Sequence, residues 1–257
     1  MSESVLVYRG KEIAAYGFGD PHPFGLDRHD VFHAELDQAG LSDSIDYGHA
    51  RPALVDELAL FHTADYIDKV SRMSAEGKGY LDGGDTPAMQ GIYEAASNVV
   101  GAVLCAVDEV MHGNYRRSFI PIAGLHHAAR DSAAGFCVFN DCGIAAEYLR
   151  KKYGLKRIAY VDIDAHHGDG MFYGFEEDQG KLFLVLELAE GVDLTERIEQ
   201  GPMPVDDVLR VLVGREDDRR HPRPALAEMR EQLETVHRRH AQVGDDEVEA
   251  ARLEREQ

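Results

Sequence analysis

The sequence predicts an α/β fold, a three-layer αβα arrangement around a mostly parallel sheet that is incomplete and gives way to a charged, mainly helical tail. Three observations predict it. Short apolar runs alternate with amphipathic stretches of helical length from Met1 to Gly180. Two of those runs are followed at once by dense polar motifs, as expected where a parallel sheet carries its site at the carboxyl ends of its strands. Composition then changes near Gly180: all but four of the 25 glycines lie at or before it, and the share of charged side chains rises sharply after it.

The elements follow in order. An apolar run predicts a strand at Val5–Tyr8, and helical periodicity predicts a helix over 91–112. A second strand is expected at 117–122, a helix at 143–153 and a strand at 158–163. Residues 181–188 read as one more strand, 225–240 as a strongly charged helix and 246–257 as a last helix or frayed tail. Domain organisation is therefore expected as a partial α/β domain over 1–180 and a divergent charged segment over 181–257.

Composition narrows the function classes. A net charge of −20 argues against a nucleic-acid partner held by a basic surface, but it leaves room for a basic peptide or polyamine. The three cysteines, Cys105, Cys137 and Cys142, follow no zinc-ribbon spacing and suggest a reducing compartment. No apolar run approaches the length of a membrane-spanning helix, and Met1 to Arg9 show no signal-peptide pattern. A soluble, cytoplasmic protein without a membrane partner is expected.

Chemistry concentrates in two motifs. The first is the run Asp162-Ile-Asp164-Ala-His166-His167-Gly-Asp169-Gly170 at the end of the 158–163 strand. Side chains two apart on a strand share a face, so Asp162, Asp164 and His166 are expected to point the same way. Carboxylate with imidazole suits a divalent metal such as zinc. The second is His126-His127 after the 117–122 strand, followed by Gly135-Phe136-Cys137-Val-Phe-Asn140-Asp141. Two histidines that titrate near neutral pH suit general acid and base work. His62 reads as a residue that caps or packs locally, and Cys137 and Cys142 as small buried side chains.

These motifs carry a resemblance. Residues 15–180 resemble the zinc-dependent deacetylase family, which includes histone deacetylases, acetoin-utilisation proteins and acetylpolyamine amidohydrolases. The matching segments, in order, are His22-Pro-Phe-Gly-Leu-Asp27-Arg28, Phe61-His62-Thr63-Ala-Asp65-Tyr66-Ile67, Gly84-Asp85-Thr86-Pro87, the histidine pair with its Gly-Phe-Cys segment, and the Asp-x-Asp-x-His run. The Gly-Asp-Thr-Pro segment is nearer the bacterial acetoin-utilisation branch. The resemblance implies an arginase/deacetylase-like fold and removal of an acetyl group from acetyl-lysine or a small acetylated amine by metal-activated water. It implies Asp164 and His166 as two of three zinc ligands, and Asp162 at a potassium site. His126 and His127 become the proton-transfer pair, with His127 the base. Gly135 and Phe136 become a wall of the acyl tunnel, Asp85 the rim residue holding the substrate backbone or amine, and Arg28 a residue of the internal channel. A manganese ureohydrolase shares the Asp-x-Asp-x-His style, but the tandem histidines and the Gly-Phe-Cys segment speak against it.

Two parts of the family pattern have no counterpart here. The third zinc ligand, an aspartate in a Cys-Gly-x-Asp strand end, and the oxyanion-donating tyrosine of a Gly-Gly-Tyr segment do not occur, and no tyrosine follows Tyr173. Residues 184–202 instead bear a faint resemblance to the strand-to-helix hinge of a bacterial protein kinase, without the motifs that kinase activity needs. The expectation is a deacetylase-type portion continued by unrelated sequence through truncation, frameshift or fusion. The alternative function is then a catalytically impaired remnant acting at most as a binding module.

Overall fold

In the computed structural model the described residues are 4–162, 164, 166–175 and, for backbone alone, 182–186. The chain divides into two compact units, Met1–Ile158 with Asp164–Leu182, and Ala159–Ile163 with Phe183–Gln257. The expected boundary at residue 180 and the expected helices at 225–240 and 246–257 lie outside the described residues.

In the first unit, β1 (Val5–Tyr8) is the centre of a parallel sheet of order β2-β1-β3, with β2 at Ile45–Gly48 and β3 at Ser118–Phe119. Register pairs Val5 with Ile45 and Tyr8 with Gly48 on one side, and Leu6 with Ser118 on the other. Leu6, Val7 and Tyr8 are all buried, the pattern of a strand covered on both faces. Parallel strands need crossovers, and helices supply them. The short α1 (Lys11–Ala14) and α2 (Arg28–Gln38) join β1 to β2, while α3 (Val55–Leu58), α4 (Ala64–Glu76) and α5 (Ile92–Met111) join β2 to β3. After β3 come α6 (Asp141–Tyr153) and, following residue 162, α7 (Asp169–Gly174).

The longer helices have legible ends. Thr63 caps α4 by accepting the Tyr66 N–H at 3.3 Å. The same helix stops at Gly77, whose φ of 64° is costly for any residue with a Cβ. α5 buries Ile92, Val99, Val100 and Leu104 along one stripe. α6 begins two residues before the expected start, because Asn140 Oδ1 takes the Gly143 N–H at 2.8 Å and fixes the first turn there. It ends with Arg150, Lys151 and Lys152 in its last turn, cations that complement the helix dipole.

Strand β3 is shorter than the 117–122 expected from hydropathy. It stops at Phe119, and Pro121 beyond it has no N–H for the ladder. The strand β4 (Ile158–Asp162), most of which belongs to the second unit, pairs with β5 (Leu182–Leu186). Among the described residues no helix is long and apolar enough to cross a membrane.

Candidate active site

The histidine pair sits on the loop beyond the carboxyl end of β3. His126 is buried and His127 half-buried, with their Nε2 atoms 3.1 Å apart. His127 Nδ1 lies 2.8 Å from Asp169 Oδ1, at the first turn of α7. A carboxylate only accepts, so His127 carries its proton on Nδ1. Its Nε2 lone pair then accepts from His126 Nε2–H. Asp169 thus orients His127, a role that the sequence pattern does not assign. Its signal is a carboxylate within a polar run, but its partner is 42 residues away.

Three residues hold the backbone of this loop. Both oxygens of Asp141 accept the Gly124 N–H, at 3.2 and 3.0 Å, and Oδ1 also accepts the Leu125 N–H at 2.7 Å. Asn140 Nδ2 donates to the carbonyls of His126 and Ala128 at 3.2 and 2.9 Å. The Met171 N–H of α7 reaches the His126 carbonyl at 3.2 Å. Burial pushes the Asp141 carboxyl above its ordinary range, against the pull of those N–H donors. Asn140 and Asp141 are visible in the sequence, yet only the fold shows that they set the geometry of the pair.

Gly135 and Phe136 form the tip of a turn whose flanks, Ala134 and Cys137, exchange backbone hydrogen bonds at 2.8 and 3.3 Å. Both tip residues have positive φ, 54° and 68°, as in a type I′ turn. For glycine this costs little; for phenylalanine the left-handed region costs about 1–2 kcal/mol. A Cβ at Gly135 would come within 2.5 Å of His127 Cδ2, so its bare Cα is what lets the turn pass against the imidazole. Phe136 is half-buried, edge-on to the His22 ring at 4.5 Å between centroids.

Asp85 is exposed, on a loop ordered by Asp82. Asp82 Oδ1 accepts the N–H groups of Gly84, Asp85 and Thr86 at 2.9, 3.1 and 3.0 Å. The hydrogen bond with Asp82, then desolvation, raises the Asp85 carboxyl above its ordinary value. His22 Nε2 donates to the Asp85 carbonyl at 3.0 Å, and its Nδ1 accepts the Phe24 N–H at 3.0 Å.

The metal-ligand candidates fall into two settings. Strand β4 ends at Asp162, so strand alternation does not carry on to Asp164 and His166. Asp162 is buried, and the Tyr160 hydroxyl donates to it at 2.9 Å. Asp164 and His166 are exposed and are joined by a local turn: Asp164 Oδ1 accepts both the backbone N–H and the Nδ1–H of His166, each at 2.8 Å. Burial raises the Asp164 carboxyl, but these hydrogen bonds and the charges of His126 and His166 outweigh it and hold it below the ordinary range. The His166 ring centroid is 5.9 Å from that of His127, so this turn and the histidine pair are neighbours. Arg28 is exposed at the start of α2, its guanidinium 4.3 Å from the centre of the Phe24 ring. Cys137 is buried, with its thiol pushed up to about 12 by desolvation, and is no nucleophile. His62 is not a local cap. Its Nε2 accepts the Asn140 N–H at 2.9 Å and its Nδ1–H donates to the Arg130 carbonyl at 3.3 Å.

Zinc can be tested against this donor set. Asp164 and His166 have the right chemistry, but a catalytic zinc normally takes three protein ligands. Among the described residues no group of three His, Cys, Asp or Glu side chains could hold a metal ion. The described residues by themselves therefore do not fit a complete zinc site.

The family model of the histone deacetylase domain matches residues 22–186. The chain belongs to the histone deacetylase family. This deacetylase-family chain is 39% identical over 185 residues to the acetoin utilization protein AcuC of Bacillus subtilis, covering 69% of this chain and 47% of that protein. The crystal structure of a histone deacetylase homologue from Aquifex aeolicus superposes with a TM-score of 0.60 at 30% identity, over 72% of this chain and 50% of that one. A homologue complexed with SAHA gives a TM-score of 0.60 at 29% identity, over 76% and 55%. The deacetylase-family chain spans about half the length of the curated relatives it matches.

Proposed function

We propose that the chain is a hydrolase of the zinc-dependent deacetylase type, acting on acetyl-lysine or a small acetylated amine. The observation that carries the reading is the His126–His127–Asp169 relay beside the Gly135-Phe136 turn. An amide hydrolase must take a proton from water and return one to the leaving amine. His127, fixed by Asp169 with Nε2 as its basic atom, takes the first. His126, whose Nε2–H bears on that nitrogen, holds the ring in place, and the resulting His127 imidazolium donates the proton to the departing amine. Phe136 offers an apolar face to an acyl-amine stem, and Asp85 an acceptor to the substrate backbone or amine. The acetate and free-amine products follow from that proton accounting.

Zinc would be held by Asp164 and His166 with a third donor from beyond the described residues, and potassium by Asp162. When bound, zinc supplies Lewis acidity toward an acyl oxygen and lowers the pKa of water. No step above is routed through it. A second reading has its own support. It is a catalytically impaired remnant that binds acetylated ligands without turning them over, and its support is that residues 187–257 contain neither a Cys-Gly-x-Asp nor a Gly-Gly-Tyr segment.

Hydrolysis of an N-acetyl-lysine peptide, measured alongside metal content, separates the two. Turnover that is lost in His127→Ala and accompanied by one bound zinc supports the hydrolase. Ligand binding with neither turnover nor metal supports the remnant. Urea release dependent on manganese would overturn both.

A further inference from the structure

Phe136 is the one described non-glycine residue with positive φ, at 68°. Strain of that kind persists only where surrounding contacts over-determine it, and it gathers where a side chain must be aimed. Two buried hydroxyls provide those contacts here. The Tyr16 hydroxyl donates to the Phe136 carbonyl at 2.6 Å and accepts the Val138 N–H at 3.0 Å, closing on the far side of the turn. Thr86 Oγ1 accepts the Phe136 N–H at 3.1 Å. Both polar groups of the Phe136 backbone are therefore bonded to side chains 120 and 50 residues away.

Tyr16 is fully buried, edge-on to Phe18 and Phe24, and its hydroxyl faces the turn. Thr86 is fully buried, with its backbone N–H on Asp82 and its hydroxyl 3.4 Å from Asp85 Oδ1. Thr86 thus links the loop that carries the rim aspartate to the turn that carries the aromatic wall. His22 repeats the link from outside, with its ring against Phe136 and its Nε2–H on the Asp85 carbonyl.

We infer that Thr86 and Tyr16 are positioning residues that hold Phe136 in its left-handed conformation and fix its ring relative to Asp85. What the ring is presented to rests on the acyl-amine reading above. How the ring is held rests on the hydrogen-bond geometry alone. The two hydroxyls offset the strain of the turn; without them Phe136 relaxes to negative φ and its ring leaves His22.

The test uses the whole chain with 4-fluorophenylalanine at position 136, observed by fluorine NMR. A peptide bearing one N-acetyl-lysine, titrated against its unacetylated twin, serves as the binding probe. Thr86→Val and Tyr16→Phe each remove one hydroxyl and keep the shape; Thr86→Ser keeps the hydroxyl. Thr86→Val and Tyr16→Phe are expected to shift the position-136 resonance away from its wild-type, His22-shielded value and to weaken acetyl-peptide binding roughly three- to tenfold. Thr86→Ser is expected to restore both. A folded Thr86→Val protein that keeps the wild-type resonance would overturn the inference, as would a Thr86→Ser protein behaving like Thr86→Val. A wild-type protein that ignores both peptides, while its resonance still moves in Thr86→Val and not in Thr86→Ser, supports the positioning role and refutes the acyl-amine reading instead.

Discussion

At the scale of single residues, the site turns on a missing Cβ and a remote carboxylate. Gly135→Ala places a methyl group within van der Waals overlap of His127 and adds left-handed strain. It should cost about 1–2 kcal/mol in stability and move the His127 ring signals in a proton–nitrogen spectrum, while leaving the spectrum of α5 unchanged. Asp169→Asn removes the acceptor that fixes the His127 proton on Nδ1. The amide can present its NH2 to that nitrogen, so the proton should pass to Nε2, and nitrogen-15 shifts of the imidazole will report it. Hydrolysis should fall by roughly 10²–10⁴ because the base has lost its lone pair. Unchanged His127 nitrogen shifts in the Asn variant would show that Asp169 does not set the tautomer. The residue types of this site are legible in the sequence, including the two histidines and the Gly-Phe pair. The pairing of His127 with Asp169 is not, because the fold alone brings together residues 42 apart.

At the scale of elements, His62 joins the entry of α4 to the start of α6. It bonds the Asn140 N–H at the α6 cap and the Arg130 carbonyl, and burial lowers its pKa to about 4 from an ordinary 6.5. The folded chain therefore holds this group neutral. Between pH 6.5 and 4 the unfolded chain binds more protons, so stability falls as pH drops through that window. The loss is at most about 3 kcal/mol, because each tenfold change in proton affinity is worth about 1.4 kcal/mol. Denaturant melts from pH 7.5 to 4.5 should show that slope in the wild type and a shallower one in His62→Gln; parallel slopes would refute the assignment. Strand β1 and helix α5 match their apolar patterns almost to the residue, because a covered strand and a long amphipathic helix each declare their period. β3 falls short of its apolar run because hydropathy does not register the missing N–H of Pro121. The His62 link is invisible in the chain because nothing around Phe61 announces a partner 78 residues on.

At the scale of the whole molecule, the question is whether a metal joins the fold. Two candidate donors, Asp164 and His166, lie beside the histidine pair, and the described residues offer no third. A ligand that binds only the folded state stabilises it by RT ln(1 + [L]/Kd), about 2.7 kcal/mol at a hundredfold excess over Kd. Removing even a supporting partner from a zinc site costs about 10- to 100-fold in affinity, and a missing ligand costs more. A site with these two donors alone should therefore leave the thermal midpoint unmoved at micromolar zinc and raise it only at much higher concentration. Asp164→Ala and His166→Ala should each abolish that late rise, whereas Asp85→Ala, on its own exposed loop, should leave it intact. The competing outcome is a midpoint that climbs at micromolar zinc and falls on chelation. That would require a third donor outside the described residues, and alanine substitution of the acidic residues and histidines there would locate it. The third donor is the part of the site that a short run of sequence cannot supply, for a physical reason. Donor types and local spacing are written within a few residues, but a coordination number belongs to segments that only folding brings together.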